Sequence, residues 1–104
     1  MKLSEYQKKV DNWVSEHKIG YFKPHEILAR LVEETGEVSR EINHLYGPKK
    51  KKSSENIADL SEELGDIVFT VCCMANSQGI NLDDSFQKAM DKCYGRDKDR
   101  YEKK

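Results

Sequence analysis

The sequence predicts an all-α fold, a four-helix bundle, and three observations predict it. Apolar residues recur every three or four positions along most of the 104 residues. No stretch alternates apolar and polar with the period of two that a half-buried strand needs, and no repeat of solenoid length occurs. Turn-forming residues cluster around Gly20 to Pro24, at Gly47–Pro48 and at Gly79, so the chain divides into four periodic segments.

The first segment places Leu3, Tyr6, Val10, Trp13, Val14 and His17 on one helical face and ends near Gly20. "YFKPHE" connects it to the second, where Pro24 suits a first helical turn because its missing N–H has no partner there anyway. Ile27, Leu28, Leu31, Val32, Val38, Ile42 and Leu45 then form one stripe, broken by Gly47 and Pro48 ahead of the run Lys49 to Lys52. Ser54 or Asn56 is expected to cap a third helix carrying Ile57, Leu60, Leu64, Ile67, Val68 and Val71. From Ile67 to Ala75 this helix is apolar nearly all round, so it should be covered on all sides. A chain of this length can hardly surround it, and an interface with further copies is expected. Gly79 in "SQGINLDD" stops it. Leu82, Phe86, Ala89, Met90 and Cys93 mark the fourth helix, and "GRDKDRYEKK" reads as a polar tail that frays.

The length suits a single domain, residues 1–104, with a modest core. Eighteen basic residues balance nineteen acidic ones, which excludes a global field for nucleic acid polymers or an anionic membrane. The run "IVFTVCCMA" is too short to span a bilayer, and the N-terminus has no apolar signal core. Cys72, Cys73 and Cys93 have neither metal-site nor disulfide-framework spacing, which reads as buried, reduced thiols of a cytoplasmic protein.

Two acidic clusters break the amphipathic pattern: "EETGE" in the second helix and "ELGD" in the third. Residues three or four apart on a helix have β-carbons roughly 5–6 Å apart, so Glu34 neighbours Glu37 and Glu63 neighbours Asp66. At 100° per residue Glu34 falls about 70° from the centre of its apolar stripe, at the edge of the core, while Glu33 points away. An unpaired carboxylate there costs on the order of several kcal/mol. Arg30, four residues back, is an ordinary surface partner. A cation held between the two helices resolves the difficulty: four carboxylates offer the hard oxygens that Mg²⁺ or Mn²⁺ takes. Zinc fits less well without cysteine or histidine in the constellation. Four acids exceed the charge of one divalent ion, which suits an ion that also binds substrate phosphates, or more than one ion.

"EETGE" followed by "ELGD" resembles the EExxE…ExxD signature of the MazG-type all-α nucleoside triphosphate pyrophosphohydrolases. The likeness extends from the Trp-bearing first helix through "LARLVEETGEVSREINHLYGPKKKK" and "ANSQGINLDDSF" to "DKCYGRDKDRY". It implies hydrolysis of nucleoside triphosphates to a monophosphate and pyrophosphate, Mg²⁺ as cofactor, and a homodimer or homotetramer in which neighbouring subunits complete the bundle. It assigns the metal to Glu34, Glu37, Glu63 and Asp66. Glu33 becomes the ligand of a further ion or the residue aligning the attacking water. Lys92 and Arg96, four apart, match the lysine and arginine that contact the phosphates in the family, although Gly95 between them weakens the helix. House-cleaning of non-canonical nucleotides is one role this implies, and a narrower dUTP or dCTP pyrophosphatase is an alternative. A catalytically silent helical regulatory partner is the alternative of another class, although all four ligands are intact.

Other residues have two readings. Trp13 and Phe22 suit a wall for a nucleobase, yet Trp13 also lies on the apolar stripe of its helix. Asn76 and Asn81 suit either a base edge or turn and cap positions. Lys49 to Lys52 suit either phosphates or solvent. Glu41 and His44 make half of a di-iron signature, but no second Glu-x-x-His exists.

Overall fold

The computed structural model describes residues 1–48 and 57–104. They form α1 (Leu3–Ser15), α2 (Pro24–Tyr46), α3 (Ile57–Ser77) and α4 (Leu82–Tyr94), with no strand among the described residues. The expected caps Ser54 and Asn56 and the lysine run lie outside the described residues. No described helix is long and apolar enough to cross a membrane.

Local chemistry sets the helix ends. In α1 and α2 the third-position glutamates, Glu5 and Glu26, accept from the backbone N–H of Lys2 and Lys23 at 3.2 and 3.0 Å. Pro24 opens α2 as its sequence position requires. After Ser15 the chain leaves α1 through a turn to Gly20 at φ +62°. Past α3, Gly79 at φ +68° lets the Ile80 N–H return to the Ala75 carbonyl at 2.8 Å, a Schellman closure. Asn81 caps α4, accepting from the N–H groups of Asp83 and Asp84, so of its two readings the structure takes the cap.

α3 is the hub. It packs antiparallel on α2 along one side and on α1 along another, whereas α4 docks principally on α1. This position covers its inward faces, while Val68 and Phe69 within the apolar run stay 52% and 41% exposed. The bundle is nonetheless open: the radius of gyration is 17.1 Å, against about 13 Å for a compact chain of this length. The single stripe expected on α2 accordingly splits. Ile27, Leu31, Val38 and Leu45 turn inward, while Leu28, Ile42 and Val32, the last 64% exposed, face out. Leu64, Val68 and Phe86 are also exposed, and Cys93 is exposed rather than buried.

A polar clamp joins α1 to the α3–α4 turn. Gln7, 7% exposed, donates through Nε2 to Asn76 Oδ1 at 3.0 Å and to the Ile80 carbonyl at 2.8 Å. Its Oε1 accepts from the Leu82 N–H at 2.9 Å. Asn76 Nδ2 donates to the Gln7 carbonyl and to the Tyr21 hydroxyl, and that hydroxyl donates to Asp11. Burial, and then the bond to Asp11, push the Tyr21 pKa up to about 12. At the far end of α1 the Ser4 N–H donates to Asp83 at 3.2 Å, and hydrogen bonding by the Ser4 side chain first, then by the backbone N–H groups of Ser4 and Leu3, holds that carboxyl below the usual range.

The C-terminal segment is more ordered than a fraying tail. Asp97 N–H returns to the Lys92 carbonyl, and Asp97 pairs with Arg96 and Arg100. Because α4 ends at Tyr94, Arg96 lies beyond the helix rather than one turn along it from Lys92.

Candidate active site

The seam between α2 and α3 follows a three-four spacing on both helices. On α2 it runs Ile27, Arg30, Glu34, Glu37–Val38, Glu41; on α3 it runs Glu63, Asp66, Thr70, Cys73. Antiparallel packing sets Glu34 against Glu63 and Asp66, and Ile27 and Arg30 against Thr70 and Cys73. One end of the seam is therefore acidic and the other apolar.

At the acidic end, Glu34, Glu63 and Asp66 each present an oxygen within 4.8 Å of the others. Glu34 is only 17% exposed, and its cationic neighbour is the Arg30 Nε at 3.7 Å, too far for a hydrogen bond. Burial raises the Glu63 pKa, and the charges of Glu37, Asp66, Glu34 and Glu41 raise it further. Glu37 thus stands outside the tightest trio but acts on it. Three oxygens this close repel unless a cation lies among them, and an all-oxygen set suits a hard divalent ion. The residues present fit such an ion. Glu33 is exposed on α2, as its angular position requires.

At the apolar end lies a cavity of about 310 Å³ lined by Trp13, Val14, His17, Tyr21, Phe22, Ile27, Arg30, Phe69, Thr70 and Cys73, among others. Trp13 is not a core residue: it is 54% exposed and meets the edge of Phe69 at a centroid distance of 5.8 Å. His17 tilts against Trp13 at 4.6 Å, and its Nδ1 lies 2.9 Å from the Trp13 carbonyl. A carbonyl only accepts, so Nδ1 carries the proton there, and in the neutral ring Nε2 is an acceptor. Thr70 links the two ends by donating to the Asp66 carbonyl at 2.9 Å. Burial pushes the Cys73 thiol up, as does neighbouring Cys72, against the pull of Arg30.

The structure thus brings together Glu34, Glu63, Asp66 and, by its charge, Glu37, with Trp13 and Phe22 at the adjoining cavity. Asn76 has both ends of its amide committed to the clamp. Lys92 and Arg96 belong to neither the acidic trio nor the cavity lining. Sequence reasoning missed Phe69, Thr70 and Cys73, and it left Arg30 as a surface partner. Spacing held the signal: Thr70 and Cys73 follow Asp66 by four and seven, and Arg30 and Ile27 precede Glu34 by four and seven.

Residues 22–101 match the model of the MazG nucleotide pyrophosphohydrolase domain. The Bacillus subtilis (strain 168) protein YpjD is 43% identical over 102 residues, which covers 98% of this chain and 92% of that protein. The crystal structure of YPJD from Bacillus subtilis matches with a TM-score of 0.82 at 41% identity, over 88% of this chain and 94% of that one. The crystal structure of a Bacillus-conserved MazG protein, a nucleotide pyrophosphohydrolase, matches with a TM-score of 0.80 at 41% identity, over 95% and 96%.

Proposed function

The chain belongs to the MazG nucleotide pyrophosphohydrolase family, and on that premise we propose that it hydrolyses (deoxy)nucleoside triphosphates to a monophosphate and pyrophosphate, with Mg²⁺ as cofactor and Mn²⁺ as a substitute. One observation carries the reading: an acidic trio and an aromatic cavity occupy successive stretches of one helical seam. A nucleotide lying along it has its base in the cavity against Trp13 and its phosphates toward Glu34, Glu63 and Asp66.

Glu34, Glu63 and Asp66, with Glu37, would hold the ion. When bound, a divalent ion neutralises phosphate charge and acidifies water. Water adds to the α-phosphorus, the bond from that phosphorus to the α–β bridging oxygen breaks, and pyrophosphate leaves. Glu33 orients the water and accepts its proton. Trp13 and Phe22 exclude solvent from the base. Asn76 serves the substrate indirectly, by holding α1 so that Trp13 covers the cavity. Lys92 and Arg96 reach the phosphates from a neighbouring copy, since α4 docks on α1 rather than completing the α2–α3 seam. The open shape and the exposed Val32, Leu64 and Val68 support a homodimer or homotetramer. Free thiols at Cys72, Cys73 and Cys93 fit the reducing cytoplasm, where house-cleaning of non-canonical nucleotides would take place.

The test is a panel of dNTPs, canonical and damaged, incubated with Mg²⁺ or Mn²⁺. Pyrophosphate and monophosphate in equal amounts are expected; orthophosphate alone contradicts the bond of attack.

A further inference from the structure

Arg30 stands where the seam changes from apolar to acidic. Its Nε lies 3.7 Å from Glu34 Oε1, and the same side chain lines the cavity beside Trp13 and Cys73. One helical turn, about 6 Å of axial rise, separates it from the metal-side carboxylate. The side chain is 59% exposed, and the two terminal guanidinium nitrogens make no hydrogen bond among the described residues. A single exposed pair of this length adds little to stability. Its position between the two halves of the site needs another account.

We propose that Arg30 binds substrate by exchanging partners: it holds Glu34 while the acids are bare and turns to the α-phosphate once a divalent ion has taken Glu34. The proposal rests on the triphosphate reading above. A dication beside Glu34 occupies that carboxylate and repels the guanidinium. An arriving phosphate offers oxygens that the planar fork of an arginine meets in pairs. With the base in the cavity and the polyphosphate toward the acids, the first phosphate falls at Arg30. The ion and Arg30 therefore compete for Glu34 in the empty site, and they act together once nucleotide is present.

Removal of the guanidinium should consequently move two equilibria in opposite directions. The Arg30→Met variant of the full chain is titrated first with Mn²⁺ alone, then, at saturating Mn²⁺, with an α,β-methylene dNTP that cannot be cleaved. Mn²⁺ is expected to bind roughly two- to fivefold tighter than to the wild type, the loss of one exposed competing pair. The analogue is expected to bind at least about tenfold more weakly, the loss of one charge-assisted phosphate contact. Arg30→Lys, which keeps charge without the fork, should fall between. Analogue affinity within twofold of the wild type overturns the proposal, as does weakening of Mn²⁺ and analogue together, which marks a merely structural role. A wild type that binds the analogue but cleaves no triphosphate refutes the functional reading and leaves this comparison valid; one that does not bind it overturns both.

Discussion

Replacing Gln7 by leucine should cost about 3 kcal/mol of stability while leaving the acidic seam intact. Leucine fills nearly the same buried volume, so the change removes the amide without opening a large cavity. Three bonds of 3.0, 2.8 and 2.9 Å disappear, each worth about 1 kcal/mol net. The Leu82 N–H and the Ile80 carbonyl are left short of partners where α3 turns into α4, so the loss should not fall much below that sum. At roughly 4–8 °C per kcal/mol for a domain of this size, melting should shift down by roughly 10–25 °C. The assay is thermal unfolding by circular dichroism at one protein concentration, because assembly and bound metal both raise the midpoint by mass action. The affinity for Mn²⁺ should stay within about twofold, since the carboxylates proposed as ligands stand on α2 and α3. Adding Asn76→Leu should cost less than the sum of the two single changes, because the residues share a bond. A loss under about 1 kcal/mol, or strict additivity, would refute the clamp as the device that orients α1.

Further expectations concern the site. Trp13→Ala should raise KM for dNTPs roughly tenfold, the scale of one base–aromatic stack, with little effect on Mn²⁺ binding; an unchanged KM would put the base elsewhere. Because the Glu63 carboxyl is held above its ordinary range, the folded apo protein retains a proton that the unfolded chain has lost. That contribution is complete below the unfolded pKa and disappears as pH rises through the folded value. Apo stability should therefore gain from Glu63 as pH falls from 7 toward 4.5 while Mn²⁺ affinity declines, and calorimetry in two buffers should detect proton release on metal binding. An Mn²⁺ affinity independent of pH across this window would remove Glu63 from the ligand set. Gly36, well inside α2 and the fourth residue of "EETGE", has nothing within 4 Å of an added Cβ. Gly36→Ala should thus stabilise the protein by about 0.5–1 kcal/mol; a falling midpoint would mean that another backbone approaches α2 there.

Much of this architecture was legible from local rules. Pro24, Gly79 and the periodic stripes are short-range signals, and they located the helices to within a few residues. The partial burial of Glu34 is local too, since it follows from where position 34 falls on α2. Trp13 shows the opposite case. Its place on the stripe of α1 suggested core, but α1 meets α3 at an offset that turns the indole into a cavity beside Phe69. The family resemblance likewise puts Lys92 and Arg96 on one helix, yet α4 ends at Tyr94 before reaching Arg96.

What the sequence determined alone was therefore each helix, its faces, and the two sets of acids three residues apart on two of them. Periodicity encodes these within a few turns of chain. Only the tertiary structure decided which faces meet. Antiparallel docking of α2 on α3 aligns the acids at one end of the seam and the aromatic cavity at the other, and it makes Arg30 the boundary between them. That register arises from contacts between residues some thirty to forty-five positions apart, which no local spacing specifies.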